Sequence, residues 1–389
     1  MNNNLKILSN TIKNKVNEIN NEITLRKRKI NFKDILFQMC LYNSNKNKSN
    51  SSALSDLLIK TKIDVSKTAI LKKRNKVTPV MLQNLNNSLL NLIYNNNRPR
   101  FIAVDGTVLN VSKRLALEGF PMNPNQTYCH AFVSSLYDVN NEILINLNLR
   151  NLYDERTQLI EQLQYVKIGD TLIMDKGYFS WDLVKELHSR GINYLFRSKD
   201  NLLILRFLEN EEEKKIILCY NDGTRISIKV VKYIVEGSLF YMFTSLTEFS
   251  IDNIKMLYHK RWNVETNFRD LKHNLSLIEL KSRSKNSIYQ DILIHNFLFL
   301  INSYLYNNLN ATTKENYKIN RKNCLNIVIN EILFFLLYSE HSKQKLNEMN
   351  RICKIIKKDL ILVEPNRHYI RKRIKPDSKW YRPRGNNNG

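Results

Sequence analysis

The apolar pattern of this 389-residue chain changes period twice, and that change limits the folds open to it. Residues 1–97 read as helical and basic: a helix-like pattern runs through Thr11–Glu22, and two shorter ones, Ala53–Lys60 and Val65–Arg74, lie a few residues apart. Asn43–Ser52, rich in Asn, Ser and Lys, reads as a loop. From Phe101 the period becomes that of strands. Phe101–Val104 is a short apolar run, and Cys129–Val139 and Glu142–Leu149 flank Asn140-Asn141, a hairpin signal. A helical segment, Asp154–Val166, precedes a buried-strand run at Thr171–Met174, a helix at Trp181–Ser189 and a strand at Asn193–Arg197. Four more β-rich runs follow, Leu202–Phe207, Lys215–Cys219, Arg225–Val235 and Leu239–Thr244, and then one long helix is expected over Ile251–Lys272.

With the β-rich stretch set aside, the order is β-β-β-α-β-α-β-α. That is the element order of the ribonuclease-H-like α/β fold, a mixed sheet with helices on its faces. The expected organisation is a basic helical region over 1–97, an α/β domain over 98–280 with a β-rich insertion at about 200–247, and a helical region over 281–389. Ile292–Tyr306 and Cys324–Tyr338 are the most apolar windows. Polar residues interrupt both before the roughly 18 apolar residues a membrane span needs, so they read as buried helices and no membrane partner is expected.

Lys and Arg number 61 against 36 Asp and Glu, a formal charge of +25, which points to a polyanionic partner. Codon drift competes as an explanation, because Asn, Ile and Tyr are abundant too. The five cysteines form no paired pattern, which argues against a disulfide framework or zinc ribbon and favours an intracellular setting. Lys67, Lys72, Lys73 and Arg74 lie on the second short helix of a possible helix-turn-helix, available for phosphates. The C-terminal run Arg367, Arg371, Lys372, Arg373, Lys375, Trp380, Tyr381, Arg382 and Arg384 either tracks a nucleic acid or forms a solvated tail.

Three carboxylates stand at telling places. Asp105 ends Phe-Ile-Ala-Val and precedes Gly106-Thr107; Asp175 ends Thr-Leu-Ile-Met and precedes Lys176-Gly177-Tyr178. Each reads as an acid capping a buried strand, with a glycine that lets the chain turn sharply. Further on, Tyr258, Arg261, Glu265 and Lys272 fall within roughly 60° of one another on a helix, with Trp262 and Arg269 beside them. Leu257, Val264, Phe268, Leu271 and Leu275 gather in a separate apolar stripe. A buried Glu-Arg-Lys ion-pair network is the alternative reading of that polar face. Two strand aspartates and a helix glutamate suit two Mg²⁺ or Mn²⁺ ions about 3.5–4 Å apart, the arrangement that stabilises attacking and leaving oxygens in phosphoryl transfer. Asp154 and Glu155 read as a helix N-terminus.

The spacing Tyr258-x2-Arg261-x3-Glu265-x6-Lys272 resembles the Y-R-E-K signature of bacterial insertion-sequence transposases of the DDE type. Asp105-Gly106-Thr107 and Asp175-Lys176-Gly177-Tyr178 resemble that family's first and second aspartate boxes, with lysine where many members have arginine. The likeness covers roughly residues 60–310. It implies that Asp105, Asp175 and Glu265 form the metal-binding catalytic triad. It also implies that Tyr258 and Arg261 contact phosphates near the transposon end, and that Lys272 steadies distorted DNA. The implied reaction is cut-and-paste transposition through a DNA hairpin, by a homodimer holding two ends of double-stranded DNA. Hairpin formation needs a tight bend, usually relieved by a flipped base. Trp262 either stacks there or packs in the core. The rival readings are a metal-dependent nuclease or resolvase of the same fold, and a domesticated or inhibitory DNA-binding protein without catalysis.

Overall fold

Leu5, Leu8, Ile12, Val16 and Ile19 recur at three- and four-residue steps, and the helix they build, α1 (Asn2–Glu22), buries all five. It starts nine residues before the expected Thr11, because the stripe begins at Leu5. The computed structural model of the chain describes residues 2–23, 30–44, 48–94, 98–198, 208, 211–235, 237–265, 268, 277, 280–310, 313, 316–340 and 342–363. The predicted strand Leu202–Phe207 and the C-terminal basic run lie outside the described residues.

Four more helices follow α1: α2 (Phe32–Asn43), α3 (Asn50–Thr61), α4 (Lys67–Arg74) and α5 (Pro79–Ile93). Each opens on a side-chain cap, from Asn31, Ser49, Ser66 and Thr78 in turn, which satisfies backbone N–H groups a helix start leaves unbonded. In the C-terminal region, α9 (Lys285–Asn310) packs on α2 and α5, α11 (Leu333–Tyr338) packs on α1 and α2, and α10 (Arg321–Ile327) and α12 (Lys343–Lys358) pack on α9. The two windows expected to be buried helices are buried helices. In the second, a five-residue π-helical turn at Val328–Ile332 joins α10 to α11.

Polar contacts fix the seam between the two ends of the chain. The Arg74 guanidinium donates to Asp291 at 2.7 Å and to Gln290 at 2.8 Å, Asn43 donates to Asp291 at 3.0 Å, and Ser9 donates to the Leu336 carbonyl at 2.9 Å. This corrects one expectation: Arg74 is buried in an ion pair, and Lys73 donates to the Ile30 carbonyl at 2.7 Å, so neither is held ready for phosphates. Lys67 and Lys72 are exposed on α4.

One eight-stranded sheet covers the middle of the chain: β1 (Phe101–Ser112), β2 (Tyr128–Asp138), β3 (Ile143–Arg150), β4 (Thr171–Met174), β5 (Asn193–Arg197), β6 (Glu213–Cys219), β7 (Arg225–Val235) and β8 (Ser238–Thr244). The order across it is β3-β2-β1-β4-β5-β8-β7-β6. The first three strands are antiparallel neighbours, β1, β4 and β5 are parallel, and β8 pairs antiparallel to β5. The β-rich insertion therefore prolongs the same sheet. Helices α6 (Glu155–Gln162) and α7 (Trp181–Ser189) connect β3 to β4 and β4 to β5. The hairpin forms as expected at Asn140-Asn141, where the Asp138 carboxylate accepts both backbone N–H groups, although Glu142 takes the left-handed conformation.

Strand β1 is three times the length of its apolar run. It continues through Asp105, Gly106 and Thr107 and stays paired with β2 out to Ser112, whereas its pairing with β4 ends at Ala103 opposite Ile173. Asp105 thus lies within a strand, level with the end of its parallel neighbour, and Gly106 makes no turn. A buried ion pair sets that register: the Arg100 guanidinium grips Asp170, which also accepts the Arg100 and Lys167 backbone N–H groups at 2.8 and 2.7 Å. With Phe101 opposite Thr171, continuing the register brings Asp105 level with Asp175.

Removing one member of a buried pair leaves the other charge uncompensated, which costs about 3–5 kcal/mol. Asp170→Ala is expected to lower the unfolding free energy by that amount in urea titrations. Glu186→Ala, which breaks the exposed Arg190 pair, is expected to cost under about 1 kcal/mol.

Candidate active site

Asp105 comes from the middle of β1, and Asp175 follows the last residue of β4. The third acid stands on a helix that differs from the single rod expected. Helix α8 (Ile251–His259) is capped by Ser250 and ends at a turn over Lys260 and Arg261. There the Arg261, Asn263 and Val264 N–H groups each bond three residues back, to Tyr258, Lys260 and Arg261. Helix resumes at 262–265. The tighter turn keeps Arg261 and Glu265 within reach, at 3.0 Å, while Leu257, Val264 and Phe268 go into the core as the apolar stripe predicts.

Tyr258 donates its hydroxyl to Asp175 at 3.3 Å. Arg261 is buried, pairs with Glu265, and lies within electrostatic reach of Asp105 and Asp175 as well. Burial alone lowers its pKa, but Tyr258 and the three acids together outweigh this and hold the guanidinium charged. Asp105 shows the opposite balance. Burial pushes its carboxyl up from 3.8 to about 6, Arg261 and the Gly106 N–H draw it back, and Glu265 and Glu155 add to the rise. The five predicted residues Asp105, Asp175, Tyr258, Arg261 and Glu265 therefore meet in one place. Trp262 lies at the surface beside Arg261, 37% exposed, with the guanidinium 5.6 Å from its ring. Arg269 and Lys272 lie outside the described residues, as do Leu271 and Leu275 of the apolar stripe.

Sequence reasoning missed one carboxylate. It assigned Glu155 to a helix N-terminus, and Asp154 does cap α6, accepting the Thr157 N–H at 3.1 Å. Glu155 itself turns inward. A Cβ on Gly106 would stand 3.2 Å from Glu155 Oε1, and a Cβ on Gly177 would stand 3.2 Å from Oε2. Gly119, Gly169, Gly191, Gly223 and Gly237 all have positive φ, whereas Gly106 and Gly177 do not. Space for Glu155 accounts for them better than backbone freedom does. Nine glycines are few for a chain of this length, so a glycine in each aspartate motif was the signal available.

Arg156, next to Glu155, bonds the carbonyls of Gly177 and Phe179 at 3.2 and 2.9 Å and so braces the Asp175 loop. Three carboxylates consequently face one buried guanidinium, and Glu155 lies within electrostatic reach of two of them, Asp105 and Asp175. Oxygen donors and surplus negative charge suit a hard divalent cation. Among the described residues, no three acidic, histidine or cysteine side chains already stand together closely enough to hold an ion.

This span of the chain matches the transposase DDE domain family over residues 96–301, more than half of its length. The chain belongs to that family, whose members are transposases that recombine DNA. Among solved structures, it is similar to the piggyBac transposase synaptic complex with hairpin DNA. That likeness has a TM-score of 0.49 and 14% sequence identity, and covers 90% of this chain and 85% of the other. No curated protein matches the chain. No described helix is long and apolar enough to cross a membrane.

Because the Asp105 carboxyl is held above its ordinary value, its ionised form destabilises the metal-free fold above about pH 6, and the effect fades as pH falls toward 3.8. In EDTA, Asp105→Asn is expected to raise unfolding free energy at neutral pH by on the order of 2 kcal/mol. Denaturant titrations are expected to show the gain shrinking as pH falls through about 6 toward 4.

Proposed function

We propose that the chain is a metal-dependent DNA transposase on a ribonuclease-H-like domain, of the Y-R-E-K insertion-sequence type, which cleaves transposon ends and joins them to target DNA. The observation that carries this reading is the meeting of Asp105, Asp175 and Glu265 around Arg261 within the family-matched span. The strand order 3-2-1-4-5, with β1, β4 and β5 parallel, supports the fold assignment. Regions 1–97 and 281–389 are assigned to gripping double-stranded DNA and to pairing two copies on two ends.

Asp105, Asp175 and Glu265 hold two Mg²⁺ or Mn²⁺ ions in this scheme. Bound there, the ions supply charge stabilisation for the attacking and leaving oxygens of a phosphodiester. Arg261 keeps Glu265 oriented and offsets the acids' mutual repulsion, while Tyr258 fixes the rotamer of Asp175. Released from the carboxylates, both are placed to take a phosphate; Arg269 and Lys272 extend that role from the signature. Trp262, at the surface beside this cluster, suits stacking on a base flipped out of a hairpin.

The test is nicking and hairpin formation on a duplex carrying the element's terminal inverted repeats. Nicking is expected to require Mg²⁺ or Mn²⁺ and to be abolished by Glu265→Ala; undiminished nicking by that variant would remove Glu265 from the site. Trp262→Ala is expected to spare the first nick and slow hairpin closure by about 1 kcal/mol or more, roughly fivefold. Lys272→Ala is expected to weaken end processing more than general DNA retention. A nuclease or resolvase would nick without forming a hairpin, and a domesticated or inhibitory protein would bind without nicking.

A further inference from the structure

We propose that Glu155 is a fourth carboxylate ligand of the divalent-cation site, acting with Asp105 and Asp175. This rests on the reading that those aspartates hold metal ions. Three observations on separate elements point to it.

The first is placement. One oxygen of the Glu155 carboxylate lies against the backbone of Gly106, next to Asp105, and the other against Gly177, two residues after Asp175. The group thus spans the gap between the two strands that carry the aspartates. A glutamate in the first turn of a surface helix ordinarily extends into water, where it favours the helix dipole at no desolvation cost. Glu155 is instead half-buried toward two other acids.

The second is charge. Glu155 forms no ion pair among the described residues, and its carboxylate accepts a hydrogen bond from the Tyr153 hydroxyl at 3.3 Å. Its neighbour Arg156 is engaged with the Gly177 and Phe179 carbonyls. A carboxylate drawn in beside like charges needs a cation, and the fold holds the nearby guanidinium on Glu265.

The third is Tyr178, the tyrosine of the second aspartate box. Its hydroxyl is buried, has no hydrogen-bond partner among the described residues, and lies 3.8 Å from where a Cβ of Gly106 would stand. Ser134 is within electrostatic reach of it but outside bonding geometry, and gives its own proton to Gln162 at 2.7 Å. A buried hydroxyl without a partner is costly. A water of a hydrated Mg²⁺ or Mn²⁺ ion bound by Glu155 and the aspartates would supply that partner. Magnesium usually keeps several such waters.

The test is Mn²⁺ binding to the full-length protein without DNA, followed by the electron paramagnetic resonance signal of free Mn²⁺. Glu155→Gln, which keeps the shape and removes the charge, is expected to weaken binding by roughly tenfold or more. Gly106→Ala and Gly177→Ala retain every acid but push the carboxylate aside, and are expected to weaken it as well. Circular dichroism and thermal melting check that each variant is folded, and Glu155→Gln decides the matter if the alanine variants are not. Wild-type Mn²⁺ affinity in Glu155→Gln, with affinity lost in Asp175→Asn, overturns this proposal and leaves the aspartate reading standing. Wild-type affinity in both overturns the aspartate reading and this proposal with it.

Discussion

The buried pair between Arg100 and Asp170 is the constraint on which the rest of the architecture depends. It ties the residue before β1 to the residue before β4, and so sets the register of the two central parallel strands. Side chains alternate across a sheet, so a slip of one residue would turn Asp105 to the face opposite Asp175. Backbone pairing alone does not choose between registers. Asp170 does, because it also receives the Arg100 backbone N–H, which only one alignment brings within reach, while the Lys167 N–H holds its carboxylate in place. Placing the clamp at the far end of the strands leaves the acidic end free of structural duties.

That acidic end is assembled from pieces with little local stability of their own. Asp175 sits on a loop braced from α6 by Arg156, Glu155 lies close against two residues that lack a Cβ, and Glu265 follows a tightened helical turn. The common element is Arg261, whose charge is kept by the acids around it. A guanidinium in that position offsets the repulsion among the acids and keeps like charges from forcing the elements apart. The cluster therefore remains assembled with its acids still spaced.

Much of this was legible from the sequence. Period-two and period-3.6 patterns mark nearly every described element, and the apolar runs identify the buried strands. The offsets among Tyr258, Arg261 and Glu265 survive the turn at Lys260 because a shift of one hydrogen bond rotates them only slightly. What was not legible depends on contacts between distant segments. Arg74 reads as a surface base on α4 until Asp291, 217 residues away, is brought beside it. Gly106 reads as a turn because β2, which carries β1 onward, is not adjacent in sequence. Glu155 reads as a dipole partner because its role depends on two other strands. Local pattern reports the element; only the assembled sheet reports what a side chain faces.

The seam between the chain's two ends also bears on how the protein is made. Helix α2 buries every residue but Lys33, and part of what covers it is α9, encoded more than two hundred residues later. At ordinary synthesis rates of about 5–20 residues per second, that surface waits on the order of ten to forty seconds for its partner. Over that interval α2 has α1, α3 and α4 to pack against, and the face that α9 covers stays open. The Arg74–Asp291 bond closes only when α9 emerges, so the N-terminal helices complete their packing after the sheet has been translated.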